Sequence, residues 1–120
     1  MIFEKLVPNI FYVDINEGLK LFVDCLNFTI EHDELKSDQA FCVLEKDGLR
    51  INLFQNTSLA KEHNPEFRLV TKNIEEVYAF VSKRNPEFLH PNLNKITLRP
   101  WGAKEFALMD RQLGIIIQQW

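Results

Sequence analysis

The side chains best suited to hold a ligand are spread over several short segments. Glu66 and Arg68 are two residues apart in a strand-like run, so they lie on one face of the predicted strand. Arg68 on that face could pair with an anionic ligand or with Glu66 itself, and we favour the internal pair. Asn9 and Phe11 have the same spacing in an earlier run. Asn9 would there be a polar anchor in an apolar wall or would be satisfied by its neighbours.

Other candidates lie at predicted turns and strand ends. Trp101 stands in a Pro-Trp-Gly turn, where so large a ring is hard to bury fully. It could offer a stacking surface to a planar ligand or act as a packing lid, and Phe54, at the end of a predicted strand, has the same two interpretations. His32, His63 and His90 all lie in or beside predicted loops. A solvated or locally hydrogen-bonded role is therefore favoured over catalysis for each histidine.

The common motifs of covalent catalysis are missing from the sequence. There is no Gly-x-Ser-x-Gly, no glycine-rich phosphate loop and no Cys-x-x-Cys. Asp110 follows a predicted strand, where its side chain suits hydrogen bonds to turn amides. Cys25 falls in a helical pattern and Cys42 in a strand pattern, which favours two buried thiols over a disulfide or a metal pair.

The elements that must position these residues occur twice. Asp14-Ile15-Asn16-Glu17 and Asn73-Ile74-Glu75-Glu76 each begin with a helix-capping residue that is followed three positions later by Glu. A strand-like run precedes each cap, at residues 7–13 and 66–71. A two-strand pattern follows each helix, at residues 41–54 and 106–119. The pattern predicts the order βαβββ, repeated once.

Local signals set the predicted boundaries. Apolar residues at helical spacing predict the first helix, which Asn27 can end in a left-handed conformation: Ile15, Leu19, Phe22, Val23 and Leu26. Asp47-Gly48 predicts a tight hairpin, and Asn85-Pro86 ends the second helix. Residues 56–65 are polar and aperiodic. We therefore predict a single domain, 1–120, with a first unit at 1–55, a linker at 56–65 and a second unit at 66–120.

Composition narrows the class of protein. A chain of 120 residues with 46% hydrophobic and 26% charged residues can bury the core of one folded domain. The net charge of −3, without a Lys/Arg stripe, gives no electrostatic basis for binding nucleic acid. No apolar run reaches membrane-spanning length, so no membrane partner is expected. The N-terminus lacks a secretory signal, and we expect a cytoplasmic protein.

The segment Arg99-Pro-Trp-Gly-Ala-Lys-Glu-Phe-Ala-Leu-Met-Asp110 resembles the glyoxalase/bleomycin-resistance family of the vicinal oxygen chelate superfamily. Lys104-Glu105-Phe106 stands for the family's Arg-Glu-Phe, and Asp110 for the first Asp of Asp-Pro-Asp-Gly-Asn. Residues 7–15 and 22–28 look like the family's opening strand and helix end. The nearest subgroup is the bleomycin-resistance-like proteins, which sequester a drug without chemistry.

The resemblance implies an α+β fold in which two βαβββ repeats form a cupped mixed sheet with the helices outside. It also implies a homodimer whose clefts take walls from both subunits. In metal-dependent members, ligands come from strand positions that fall here on Val7, Asn52, Glu66 and either Ile117 or Gln118, depending on the register of the last hairpin. Val7 and Ile117 cannot bind a cation, and the two amides are weak neutral donors. We therefore expect no metal and no cofactor.

The favoured function is a metal-free small-molecule binding protein of the bleomycin-resistance type, which sequesters a partly aromatic ligand in a cleft. No catalytic residue is assigned, and the protein is more readily a binder than an enzyme. The predicted ligand-binding residues are Asn9, Phe11, Asn52, Phe54, Glu66, Arg68, Trp101 and Gln118. The alternative is a metal-dependent lyase or transferase of the glyoxalase type, with Glu66 and Gln118 as remnants of its site. A third possibility is a domain retained for protein interaction.

Overall fold

Each half of the chain builds a four-stranded sheet with a helix against one face. The computed structural model describes residues 2–120. The chain divides into two compact units, Met1–His63 and Asn64–Trp120. In both units the first strand pairs in parallel with the last, and the other neighbouring strands are antiparallel. The predicted α+β class and the repeated βαβββ order are therefore confirmed.

The first unit contains four strands and two helices, the second of which is short. They are β1 (Asn9–Tyr12), α1 (Ile15–Leu19), which continues as a π-helical segment (Lys20–Cys25), β2 (Thr29–Glu34), β3 (Phe41–Lys46), β4 (Leu49–Gln55) and α2 (Thr57–Glu62). The sheet order is β1-β4-β3-β2. Asn27 has φ 62° where the helix ends, and Asp47 and Gly48 have φ 52° and 81° in the hairpin, as their residue types predict.

One face of the first sheet forms the core of its unit. Alternation along the strands buries Ile10, Tyr12, Cys42, Leu44, Ile51 and Leu53. Gly18 lets α1 approach this layer closely, because a Cβ at that position would lie 2.5 Å from Cε2 of Tyr12 and 3.0 Å from Cδ1 of Leu53. The helix therefore lies directly on the Tyr12 ring.

The second unit repeats the plan with a longer helix. Its elements are β5 (Glu66–Val70), α3 (Ile74–Arg84), a 3-10 helix (Pro86–Phe88), β6 (Thr97–Leu98), β7 (Lys104–Met109) and β8 (Gly114–Gln119), in the sheet order β5-β8-β7-β6. Asn73 caps α3 by accepting from the amide of Glu76 at 3.2 Å. Ile74 and Val81 are fully buried, as is Phe106, whose ring meets Tyr78 edge to face at 5.0 Å.

The span 56–65, which the sequence predicts as an aperiodic linker, contains α2. Asn56 caps this helix, because its side-chain oxygen accepts from the amide of Leu59 at 3.0 Å. Leu59 and Ala60 are its only apolar residues, so no helical period is visible in the sequence. Among residues 2–120, no helix is long and apolar enough to cross a lipid bilayer.

Candidate functional site

The second face of the first sheet is not covered by α1, and we call it open face 1. Strand register places its members side by side: Asn9, Phe11, Phe41, Val43, Asn52 and Phe54. Asn9 is exposed and the other members are half-buried. Four of the predicted ligand-binding residues, Asn9, Phe11, Asn52 and Phe54, are therefore brought together on one surface.

A row of aromatic rings crosses open face 1. Phe54 stacks between Phe11 and Phe41, with ring centroids 5.6 Å apart on each side. His63 lies beside Phe11 at 5.9 Å, and His32 lies beside Phe41 at 5.6 Å. Both histidines are exposed, as predicted, but each also extends the aromatic row. The row is a half-buried aromatic surface on this face.

Polar groups on the same face are paired with one another. Asn52 Nδ2 donates to Asn9 Oδ1 at 3.0 Å, so Asn9 is satisfied by a neighbour and still exposed. Arg50 Nε donates to Glu45 Oε1 at 2.7 Å, and Lys5 lies 3.5 Å from the same oxygen. The hydrogen bond from Arg50 is the main reason that the pKa of Glu45 is lowered. The amide pair is therefore the neutral polar feature next to the aromatic row.

The corresponding surface of the second sheet, open face 2, is more polar. Its members are Glu66, Arg68, Glu105, Ala107, Ile116 and Gln118. Glu66 and Arg68 are exposed, whereas Glu105, Ala107 and Gln118 are buried. Arg68 Nη1 lies 3.7 Å from Glu66 Oε1, which confirms the internal pair that the spacing favours. Both side chains are about half exposed or more. Such a pair contributes little to stability and leaves both groups accessible.

A buried network organises the other end of open face 2. Glu105 is only 1% exposed, and its Oε2 accepts hydrogen bonds from Gln118 Nε2 at 2.6 Å and from Trp101 Nε1 at 3.2 Å. Gln118 Oε1 accepts from Trp120 Nε1 at 3.1 Å. Arg99 Nε is 3.7 Å from Glu105 Oε1, and the Arg99 guanidinium lies 4.9 Å from the centroid of the Trp101 ring.

The sequence patterns do not predict Glu105 or Trp120 as site residues, although Glu105 joins two predicted site residues, Trp101 and Gln118. The available signal was the strand alternation of β7, but its use requires the register of the last hairpin. That register pairs Glu105 with Gln118 and leaves Ile117 buried on the core face. Gln118, and not Ile117, therefore shares a face with Glu66.

A hollow of about 380 Å³ lies in the second unit, beside the start of β5 and the β7–β8 turn. Leu93, Met109 and Ile116 give it apolar walls. Its polar and charged lining residues are Asn64, Glu66, His90, Asp110, Arg111 and Gln112. His90 Nδ1 accepts from the amide of Asn92 at 3.0 Å, which is the local hydrogen bond expected of a loop histidine. Of the predicted ligand-binding residues, only Glu66 lines this hollow.

Three side chains that fall on the predicted metal-ligand positions already have polar partners. The Gln118 side-chain oxygen is engaged by Trp120, Asn52 donates to Asn9, and Glu66 is paired with Arg68. Within residues 2–120, no group of three or more His, Cys, Asp or Glu side chains could hold a metal ion. A catalytic divalent site needs about three such protein ligands.

The two cysteines and Asp110 have structural roles. Burial, followed by the nearby charge of Asp33, raises the pKa of the Cys42 thiol to about 11. A thiol this weakly acidic is a poor nucleophile at neutral pH. Cys25 is also a buried thiol. Asp110 Oδ1 accepts from the amides of Gln112 at 2.7 Å and Leu113 at 3.0 Å, as the turn position predicts.

Comparison with known proteins identifies the fold. No family model matches the sequence, and no curated protein matches it. Among solved structures, a bleomycin-binding protein complexed with bleomycin superposes with a TM-score of 0.75 and 19% identity, over 98% of this chain and 99% of that one. A member of the glyoxalase/bleomycin resistance protein/dioxygenase superfamily from Sphaerobacter thermophilus gives 0.70 and 16%, over 100% of both chains. A glyoxalase-related enzyme from Clostridium phytofermentans gives 0.71 and 13%, over 99% and 96%.

The chain therefore has the glyoxalase/bleomycin-resistance/dioxygenase fold, as the resemblance of its sequence implies. The same fold carries a binding protein and an enzyme among these neighbours. Since fold does not determine function, the choice between them depends on the side chains of this chain.

Proposed function

We propose that this protein binds and sequesters a small, partly aromatic ligand without a metal ion, in the manner of bleomycin-resistance proteins. The observation that carries the proposal is the composition of open face 1, where Phe11, Phe54 and Phe41 form a half-buried stacked row beside the Asn9–Asn52 amide pair. Apolar walls with a few directional polar groups are typical of small-molecule sites.

The energetics of such a surface favour a flat ligand. A stacked aromatic pair contributes about 0.5–1.5 kcal/mol beyond its buried area. A neutral hydrogen bond to the amide pair contributes about 0.5–1.5 kcal/mol and fixes orientation. Open face 2, on the second unit, carries a charged pair, Glu66 and Arg68, and the anchored ring of Trp101. The ligand is therefore expected to combine a planar ring system with hydrogen-bonding groups.

The proposal includes a homodimer that works in the cytoplasm, without nucleic-acid or membrane partners. Light scattering of the purified protein tests the dimer directly. A monomer at all accessible concentrations would contradict this part of the proposal and leave the ligand-binding part to be judged by binding assays.

The alternative is a metal-dependent lyase or transferase of the glyoxalase type. One observation favours it: Glu66 and His90, a carboxylate and an imidazole, line the same hollow. The hydrogen bond from Trp120 to Gln118 opposes it, because the Gln118 Oε1 atom, which would have to bind a metal, already accepts from Trp120 Nε1 at 3.1 Å.

The test begins with a thermal-shift screen of planar compounds, including metal-free bleomycin, on chelator-treated protein. Hits are then titrated by calorimetry against Phe54→Ala and against Phe80→Ala, a half-buried phenylalanine on α3. Both variants lose a large ring, so both lower the free energy of unfolding. Only Phe54→Ala should also weaken binding, by about two- to tenfold. Equal binding by Phe54→Ala and the parent, or a screen without hits, would contradict the proposal.

A further inference from the structure

Two tryptophans combine exposed rings with inward-pointing N–H groups. Trp101 is 49% exposed and Trp120 is 71% exposed. Each indole N–H nevertheless donates to a buried side chain, Trp101 to Glu105 Oε2 and Trp120 to Gln118 Oε1. Glu105 and Gln118 are themselves joined by the 2.6 Å hydrogen bond, so one continuous chain of hydrogen bonds links the two indoles.

This chain restricts how the rings can move. A side chain on the surface normally samples several rotamers, and binding must then order it. An indole whose N–H is bonded to a buried acceptor has lost part of that freedom before a ligand arrives. The ring faces stay apolar and accessible, whereas the polar edge is satisfied inside the protein. Both rings are therefore prepared for stacking.

The buried carboxyl group of Glu105 requires hydrogen-bonding and charged partners around it. A carboxylate at 1% exposure is costly unless it is paired and hydrogen-bonded. Gln118 and Trp101 supply the two hydrogen bonds to Glu105, and Arg99 supplies the nearby positive charge at 3.7 Å. The Arg99 guanidinium also lies over the Trp101 ring, so a ligand would use the remaining exposed ring surface. Because Arg99 and Glu105 balance each other, the site favours a neutral ring.

We propose that Glu105 and Gln118 are positioning residues that hold Trp101 and Trp120 as a two-indole stacking site for a neutral, planar aromatic or heteroaromatic group. This inference rests on the proposed ligand-binding function. It adds two residues to the site, Glu105 as the anchor and Trp120 as the second stacking ring.

Glu105→Gln tests the anchor with almost no change in volume. An amide oxygen at the Oε2 position would keep the bonds from Trp101 and Gln118 but would turn its NH₂ group toward Arg99 Nε, another donor. In the flipped orientation, the NH₂ group would instead face two other donors, Trp101 Nε1 and Gln118 Nε2. Either orientation places a donor against a donor, so the side chain at position 105, and with it the Trp101 indole, should be held less firmly.

The first readout is hydrogen exchange of the two indole N–H groups, followed by NMR. The sequence has two tryptophans, so Trp101→Phe and Trp120→Phe assign both signals. In the parent, both indole protons should exchange more slowly than in the urea-unfolded chain. Glu105→Gln should speed exchange at Trp101, and Gln118→Leu should speed it at Trp120. Backbone amide protection in β7 and β8 should persist, which separates positioning from unfolding. Unprotected indole protons in the parent would overturn the proposal.

The second readout is binding of phenazine, a neutral planar probe, followed by tryptophan fluorescence or calorimetry. Trp101→Leu and Trp120→Leu should each raise its Kd about two- to tenfold. The control Leu49→Ala, at an exposed apolar residue of the first unit, should leave the Kd unchanged. No binding by the parent, or unchanged Kd in both Trp variants, would overturn the inference. If the two-indole site fails this test but Phe54→Ala still raises the Kd of compounds found in the screen, the proposed function stands. If no hit binds at all, both proposals fail.

Discussion

Asn52 and Asn9 are hydrogen-bonded through their side chains across the parallel β1–β4 pair, with Nδ2 of Asn52 3.0 Å from Oδ1 of Asn9. The bond fixes which end of each amide faces the other. Asn9 is exposed, so the pair can turn remaining donor and acceptor capacity toward a bound molecule. A matched amide pair beside three stacked phenylalanine rings gives open face 1 both area and direction.

We expect Asn9→Ala to weaken binding of a screen hit while the fold stays intact. Loss of one neutral hydrogen bond costs about 0.5–1.5 kcal/mol, which corresponds to roughly a two- to tenfold rise in Kd. Calorimetric titration measures the change, and Asn94→Ala, an exposed loop asparagine, is the control. Equal effects of the two substitutions would remove Asn9 from the site.

Trp101→Ala should weaken binding more than substitution of any histidine. The ring of Trp101 offers about half of its surface to a ligand, whereas His32 and His63 only flank the phenylalanine row. Titrations of Trp101→Ala, His32→Ala, His63→Ala and His90→Ala with the same ligand decide the order. If His90→Ala has the largest effect, the ligand occupies the hollow beside Glu66 instead.

Gly18→Ala should destabilise the first unit. The new Cβ would lie 2.5 Å from Cε2 and 2.8 Å from Cζ of Tyr12, a core residue that is 1% exposed. Overpacking of this kind costs about 1–3 kcal/mol. Urea unfolding followed by circular dichroism measures the loss. Asn16→Ala, on the exposed side of the same helix, should change the free energy of unfolding far less.

The Cys42 thiol should react slowly with thiol reagents in the folded protein. Its ionisation should lower the free energy of unfolding at alkaline pH. Its pKa is about 11 in the folded protein, above the ordinary value of 9.0, so the unfolded chain loses this proton first. The resulting stabilisation is complete below pH 9.0 and is lost as pH rises through about 11. Unfolding free energies across that range should fall more steeply for the parent than for Cys42→Ala. Parallel curves, or rapid thiol labelling of the native protein at neutral pH, would contradict the burial of this group.

Local signals were sufficient to predict most of the fold. The helix starts at Asp14 and Asn73 were recognisable because each capping side chain binds an amide within three residues. The Asp47-Gly48 hairpin was recognisable because both residues accept positive φ. Helix α2 escaped prediction since it is six residues long and nearly without apolar residues. The π-helical segment has no sequence signal that distinguishes it from a continued α-helix.

The candidate site was predictable where alternation alone determines the face. Asn9, Phe11, Glu66 and Arg68 required only the two-residue period of a strand. Glu105 required the pairing register of β7 with β8, which a one-residue difference in turn length would invert. The sequence therefore predicts the positions of Asn9 and of the Glu66–Arg68 pair, whereas the hydrogen bonds of Glu105 are visible only in the three-dimensional structure.

Ligand binding by this protein is predicted to need no metal ion. The most direct measurement is a pair of calorimetric titrations with the strongest screen hit, on chelator-treated protein and on the same protein supplemented with zinc, nickel or manganese, with elemental analysis of each sample. The ligand is predicted to bind chelated protein with unchanged Kd, and the metals to remain below stoichiometric amounts. Binding or turnover that appears only with stoichiometric metal, and that Glu66→Ala abolishes, would contradict metal-free binding and favour the metal-dependent enzyme.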